Sequence, residues 1–387
     1  MSARRGFALV LLLWAAGLGG AAQYAKFAVV YEILGGVYPQ AGAWLGWIVS
    51  LVGFIGVFLG VVAGILVARA GVRRALIAAM WLGAAVSALQ AFMPALPWML
   101  LLRGLEGVSH LGIVVAAPTL IAQVAPPAQR GLALTLWGTF FGVAFAVMTF
   151  GGLPLAQSSG VGALFAAHGV YMACLALALG FWLRALPGYE RPAALPFGAV
   201  LRMHGAIYRS AFVSAPAAGW LFYTFCFVSI LTVLPPFLDE SIRALVMGAM
   251  PLVSIAVSMT LGVALLRRMP AVQVVYAGFA ASLGCMVWLW FAPAAGWACI
   301  ALAASMGLIQ GASFAAVPQL NAGPERQAQA NGAMAQMGNL GNTLGTPVMA
   351  VALAQFGYVS LPLLGGGAFL AGLILHLWLA RVRARSG

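Results

Sequence analysis

Gly64-Ile65-Leu66-Val67-Ala68-Arg69-Ala70-Gly71-Val72-Arg73-Arg74 is a short basic run set between two long apolar ones, Ala43 to Val67 and Ala75 to Phe92. Two apolar stretches joined by a glycine-turned loop with three arginines read as a pair of membrane helices with a cytoplasmic hairpin between them. Gly71 can take the positive φ of a tight turn, and Gly64 lets the helix ends approach. The arginines can cap the last carbonyls of the preceding helix and meet anionic headgroups.

The composition extends this reading to the whole chain. Hydrophobic residues make up 64% of it and charged residues 6%, against about a quarter charged in a soluble domain. The 387 residues hold about twelve spans at roughly 20 residues each plus short loops. The net charge of +13 would suit nucleic acid, but its distribution argues against such a partner. With the amino terminus inside, only Arg243 falls on an outer loop, and only Lys26 and Arg103 fall within spans. The other 16 of the 19 basic residues fall on the cytoplasmic side. That asymmetry predicts a multi-pass protein of the inner or plasma membrane with both termini cytoplasmic. Arg4-Arg5 and the apolar run after them imitate a signal peptide, but cleavage there would spoil the charge parity downstream, so the first helix is expected to stay. The four cysteines lie in apolar helices at spacings that fit neither a disulfide framework nor a metal site.

In order, the spans are expected at 6–34, 43–67, 75–92, 98–122, 131–155, 161–183, 210–234, 242–266, 271–291, 297–320, 330–356 and 359–380. The longest polar stretch, 185–209, reads as a cytoplasmic linker with a possible short surface helix. It divides the chain into units 1–184 and 210–387. A shift of 200 residues superposes Gly107 on Gly307, His110 on Gln310, Ala116 on Ala316 and Pro118 on Pro318. This weak parallel repeat fits two six-helix halves, an arrangement in which solute binds between the halves.

The basic run resembles the loop between helices two and three of the major facilitator superfamily, G-x-L-x-D-R-x-G-x-R-R. Gly64, Leu66, Arg69, Gly71, Arg73 and Arg74 match; Ala68 stands where the family has an acid that helps latch one conformation. Arg103-Gly104-Leu105-Glu106-Gly107 also resembles the family's fourth-helix R-x-x-x-G pattern, whose arginine is associated with proton handling. The resemblance implies an all-α protein with twelve transmembrane helices in two pseudo-symmetric bundles. It further implies alternating access by a monomer without a cofactor, around a cavity lined by helices 1, 4, 7 and 10.

Charges inside spans mark candidate sites, because each costs about 2.5–3.5 kcal/mol to insert. Of six acids, Glu106 alone sits well inside a span. Arg103, Glu106 and His110 share an arc of about 60° on their helix, which suggests proton coupling; a purely structural ion pair is the equal alternative. Lys26, the only lysine, shares a face with Gln23 and Phe27. It would either anchor an anionic solute or snorkel to the outer headgroups. In the second half Tyr223, Thr224, Gln310, Gln336, Asn339 and Thr343 are neutral groups that could read the solute or join helices. The run Gly338 to Pro347 is a flexible or closely packed segment whose small residues would let helices slide and rock.

These readings favour a secondary transporter of a small organic solute, anionic by its excess of buried cations and coupled to protons. Multidrug efflux by proton antiport is the alternative. It suits Trp44, Trp47, Trp137 and Trp220, but the exporters' fifth-helix glycine signature lacks its proline here. There is no P-loop, no His-Glu-x-x-His and no aspartate pair for an enzyme; Ser313 with a distant histidine is the remaining hydrolytic possibility.

Overall fold

The computed structural model describes residues 3–42, 44–126, 129–185 and 197–386. Among them every regular element is helical. Ten helices are long and apolar enough to span a membrane. They are α1 (Ala3–Ala28), α3 (Val72–Gln90), α4 (Leu96–Val124), α5 (Phe140–Ser159), α6 (Val161–Trp182), α7 (Ser214–Val233), α8 (Glu240–Leu266), α9 (Ala271–Phe291), α10 (Gly296–Leu320) and α12 (Ser360–Ser386), with a separate helix, Arg130–Gly138, leading into α5. Two further helices complete twelve. Helix α2 (44–70) is broken by a 3-10 turn at Leu51–Gly53 and again before Ala63–Ala70. Helix α11 (Pro324–Phe356) is long enough but too polar to stand out by hydropathy. The molecule is an all-α polytopic membrane protein.

Several ends differ from the sequence expectation for local reasons. Helix α1 stops at Ala28, and the chain makes a separate short helix, Tyr31–Val37, before α2. Helix α11 starts six residues before the expected 330, because Gly323 takes φ 84° and Pro324 fills the first helical position, where a missing N–H costs nothing. Gly71 does take a positive φ, 87°, at the start of α3. Helices α5 and α8 each carry a π turn, at Met148–Gly152 and Ser258–Gly262. Asp239 caps α8, its Oδ1 accepting from the Ser241 backbone N–H at 2.8 Å and hydroxyl at 2.5 Å. Those two bonds hold its carboxyl below the usual aspartate range.

The chain forms two compact units: Met1–Ala41 with Leu51–Ile55 and Val62–Ala194, and Gly42–Ser50 with Gly56–Val61 and Leu195–Gly387. In the first, Leu9, Leu13, Leu76, Met80, Ile113 and Leu120 are buried among α1, α3 and α4. In the second, Ile207, Ala217, Val317, Ala333 and Met334 form a smaller core. The expected linker 185–209 lies outside the described residues over 186–196. Its remainder is a helix, Phe197–Arg209, held to the second unit by Ile207 and by the Tyr208 hydroxyl, which donates to Gln336 Oε1 at 2.6 Å.

The internal repeat appears within each unit as the same close contact. A Cβ on Gly107 of α4 would lie 2.6 Å from the Val52 carbonyl of α2, and one on Gly307 of α10 would meet the Ser254 carbonyl of α8. Gly83 of α3 faces Ser109 of α4, and Gly278 of α9 faces Ile309 of α10. Glycine at 107 and 307 thus serves close helix approach, which in lipid takes over much of the role of hydrophobic burial. Gly107→Val should lower thermal stability by about 1–3 kcal/mol through overpacking against backbone. Thermal unfolding in detergent checks this, and an unchanged melting temperature would show that α2 is free to give way.

Candidate functional site

The first unit contains a buried ionic network. Lys26 sits in the last turn of α1 and Ser87 and Gln90 in the last turn of α3. Arg103, Glu106 and Ser109 face them from α4, and His168 from α6. Lys26, Ser87, Gln90, Arg103, Glu106 and Ser109 have no exposed surface, and His168 has 3%. The helices can close over these groups because their neighbours are small: a side chain at Gly83 would strike both Ser109 Oγ and Gln23 Nε2.

Four polar atoms surround the Lys26 ammonium, the most distant being His168 Nδ1 at 3.3 Å. Its ammonium has three N–H groups and three close oxygens: Ser87 Oγ at 2.6 Å, Glu106 Oε1 at 2.7 Å and Gln90 Oε1 at 2.8 Å. Glu106 Oε2 accepts from Gln90 Nε2 at 2.9 Å and from the Arg103 guanidinium. His168 Nε2 is 3.0 Å from the Gly19 carbonyl, which can only accept, so Nε2 carries the ring proton. Nδ1 is then an acceptor, and the Ser87 hydroxyl donates to it at 2.7 Å. Both cations also lie over aromatic faces: Arg103 is 4.1 Å from the Phe27 ring centroid and Lys26 is 5.3 Å from that of Phe165. Such contacts partly replace lost hydration.

The sequence-selected residues distribute as follows. Lys26 does not snorkel; it is paired inside the unit with Glu106, which also pairs with Arg103. Gln23 is adjacent, donating to Ser109 Oγ at 2.8 Å while its Oε1 has no partner among the described residues. His110 points elsewhere on the arc, its Nδ1 donating to the Gly20 carbonyl at 2.9 Å and its ring edge-on to Tyr24. In the second unit Tyr223 is buried between Trp220 and Phe227, and Gln310 is half-buried on α10. Asn339 occupies the notch left by Gly56 and donates to the Ala335 carbonyl at 2.8 Å. Gln336 donates to the Val57 carbonyl at 2.7 Å. Both α11 side chains therefore act as helix-contact groups here. Of the basic run, Arg73 lies 3.4 Å from the Gly180 carbonyl, and Arg69 and Arg74 are exposed. The buried Ser313 hydroxyl has no hydrogen-bond partner among the described residues, so it has no histidine base.

Sequence reasoning missed Ser87, Gln90, Ser109 and His168. Ser87 and Gln90, at i and i+3 near the end of an otherwise apolar span, were the available signal. His168 is isolated in sequence, and nothing local marked it.

A family model described as the Major Facilitator Superfamily matches residues 13–346. The chain belongs to the major facilitator superfamily. The niacin transporter NiaP of Acinetobacter baylyi is 33% identical over 140 residues, which are 35% of this chain and 32% of that protein. The match thus spans about a third of the length of that relative. The crystal structure of the human organic anion transporter MFSD10 (TETRAN) superposes with a TM-score of 0.70 at 17% identity, covering 97% of this chain and 100% of that one. At that identity the superposition establishes the fold.

Proposed function

We propose that this superfamily member is a secondary transporter that carries a small organic anion across the inner membrane by alternating access, coupled to protons. The orientation follows the basic residues, with both termini cytoplasmic. The observation that carries the reading is the charge count of the network: among the described residues Lys26 and Arg103 pair with one shared acid, Glu106, all three without exposed surface. Burying one cation in excess is costly, and a solute carboxylate supplies the missing charge. The similarity to a niacin transporter makes nicotinate, a small aromatic carboxylate, the first probe.

The geometry adds a condition. All three donors of Lys26 are engaged, so a carboxylate reaches it only when one acceptor lets go. Protonating Glu106 does this: it removes the internal anion, frees both cations and raises the net charge by one. Proton and anion binding then favour each other, and linkage makes the effect reciprocal. Nicotinate affinity should rise as pH falls. In Glu106→Gln, whose side chain is permanently neutral, it should be high and independent of pH.

Ligand-induced thermal shifts on purified protein test this, because binding stabilises the folded state by mass action. Lys26→Ala should lose a charge-assisted bond of about 1.5–3 kcal/mol, roughly ten- to hundredfold in affinity. Glu106→Gln in proteoliposomes should exchange nicotinate but not accumulate it under an acid gradient. Equal stabilisation of wild type and Lys26→Ala by bulky organic cations, with none by carboxylates, would instead support drug efflux.

A further inference from the structure

We propose that His168 is the proton acceptor of the network, reached from Glu106 through Lys26 and Ser87. The inference builds on the coupling role given to Glu106 above, but it stands on its own geometry. Glu106 Oε1, Lys26 Nζ, Ser87 Oγ and His168 Nδ1 form an unbroken chain of three hydrogen bonds of 2.7, 2.6 and 2.7 Å. It runs from α4 through α1 and α3 to α6. Its polarity is fixed at the far end: the Gly19 carbonyl holds the ring proton on Nε2, so Nδ1 offers a lone pair, the Ser87 hydroxyl points to it, and Lys26 donates to Ser87.

This polarity carries a proton one way. Lys26 gives an N–H proton to Ser87 Oγ as Ser87 gives its own to His168 Nδ1. The products are a neutral amine and an imidazolium that still donates from Nε2 to Gly19. If Glu106 is protonated, its O–H proton then passes to the amine. In sum one O–H bond breaks at Glu106 and one N–H bond forms at His168; Lys26 and Ser87 each lose and regain one proton. The net charge is unchanged, and no outside reactant is needed. The charged groups that bear on His168 are Lys26 from α1 and Arg103 and Glu106 from α4; Ser87 and Gln90 of α3 are neutral. Regenerating the Glu106 carboxylate restores its hold on Lys26 and Arg103, which would expel a bound solute anion. His168 therefore supplies the step that separates anion release from anion capture.

The test uses the full chain labelled with 15N-histidine in lipid nanodiscs, with the His168 signal assigned by its loss in His168→Gln. Wild type should show the Nε2–H tautomer with Nδ1 accepting a hydrogen bond. Ser87→Ala should shift Nδ1 alone, and Ser87→Thr, which keeps the hydroxyl, should restore it. An Nδ1–H tautomer, or an Nδ1 signal indifferent to Ser87→Ala, overturns the proposal. In proteoliposomes, Ser87→Ala and His168→Gln should cut acid-gradient-driven nicotinate accumulation by about tenfold or more, the scale of a lost proton-transfer group. Counterflow of nicotinate should fall by a clearly smaller factor than accumulation, and Ser87→Thr should recover accumulation. Equal loss of counterflow and accumulation, without rescue by threonine, marks a packing role and overturns it. If wild type moves no nicotinate, the functional reading fails, and the tautomer measurement alone decides the proton path.

Discussion

Glu106→Ala is expected to destabilise the protein by about 3–5 kcal/mol, the cost of stranding a buried charge when its partner is removed. The acid lies between two cations that have no exposed surface, and it accepts from Lys26, Arg103 and Gln90. Removing it takes from an ammonium and a guanidinium the acid they share, and from an amide its acceptor. Glu106→Gln keeps an acceptor oxygen and the volume, and should cost less. Lys26→Met in the Glu106→Ala background removes the second stranded charge and should recover part of the loss, with a coupling of about 0.5–3 kcal/mol between the two positions. Thermal unfolding of the three variants in detergent reads the order: alanine lowest, the double variant above it, glutamine nearest wild type. If Glu106→Ala melted with wild type, water would have to reach the network, and the argument from its charge count would fall.

The network also shows how far sequence could go. Glu106, Arg103 and Lys26 were legible because a charge in an apolar span has few innocent explanations, and their convergence followed once the helices were placed. The neutral partners were not, because serine and glutamine in the last turn of a span are common and cost little, and His168 stands isolated within its own span. Only the folded geometry shows that Ser87 and Gln90 complete the coordination of Lys26. His110 was drawn into the site by helical periodicity, which fixes a face but not where along it a side chain turns; its Nδ1 finds the Gly20 carbonyl instead. The spans themselves were readable from hydropathy except where hydropathy is weakest. Polar α11 starts earlier than expected because glycine and proline set its first turn, and α1 ends sooner because the break after Ala28 leaves no compositional trace.

Gly345→Ala is expected to cost about 1–3 kcal/mol although it adds a single methyl group, because that methyl meets backbone, which cannot yield as a side chain can. A Cβ at Gly345 falls on the carbonyl of Phe225 in α7, with the carbonyl carbon at 3.0 Å and Cα at 3.2 Å. Gly341 meets the Leu221 carbonyl and Phe225 N on the same helix, and Gly338 meets the Trp220 ring. Gly367 of α12, with nothing within 4 Å, is the control: alanine there should be neutral or gain up to about 1 kcal/mol from helix propensity. Thermal unfolding of the two alanine variants separates the effects, and equal melting temperatures would show that α7 and α11 part easily. The contrast bears on motion. The glycine row of α11 left two readings, sliding or close packing, and contact at carbonyl distance favours the second. A seam with no room for a methyl resists sliding, since translation along it would drive each glycine's flanking side chains into the opposite backbone. Helices α7 and α11 should therefore move as one body, and the rearrangement that admits solute must be sought at softer places, such as the breaks in α2 and the π turns of α5 and α8.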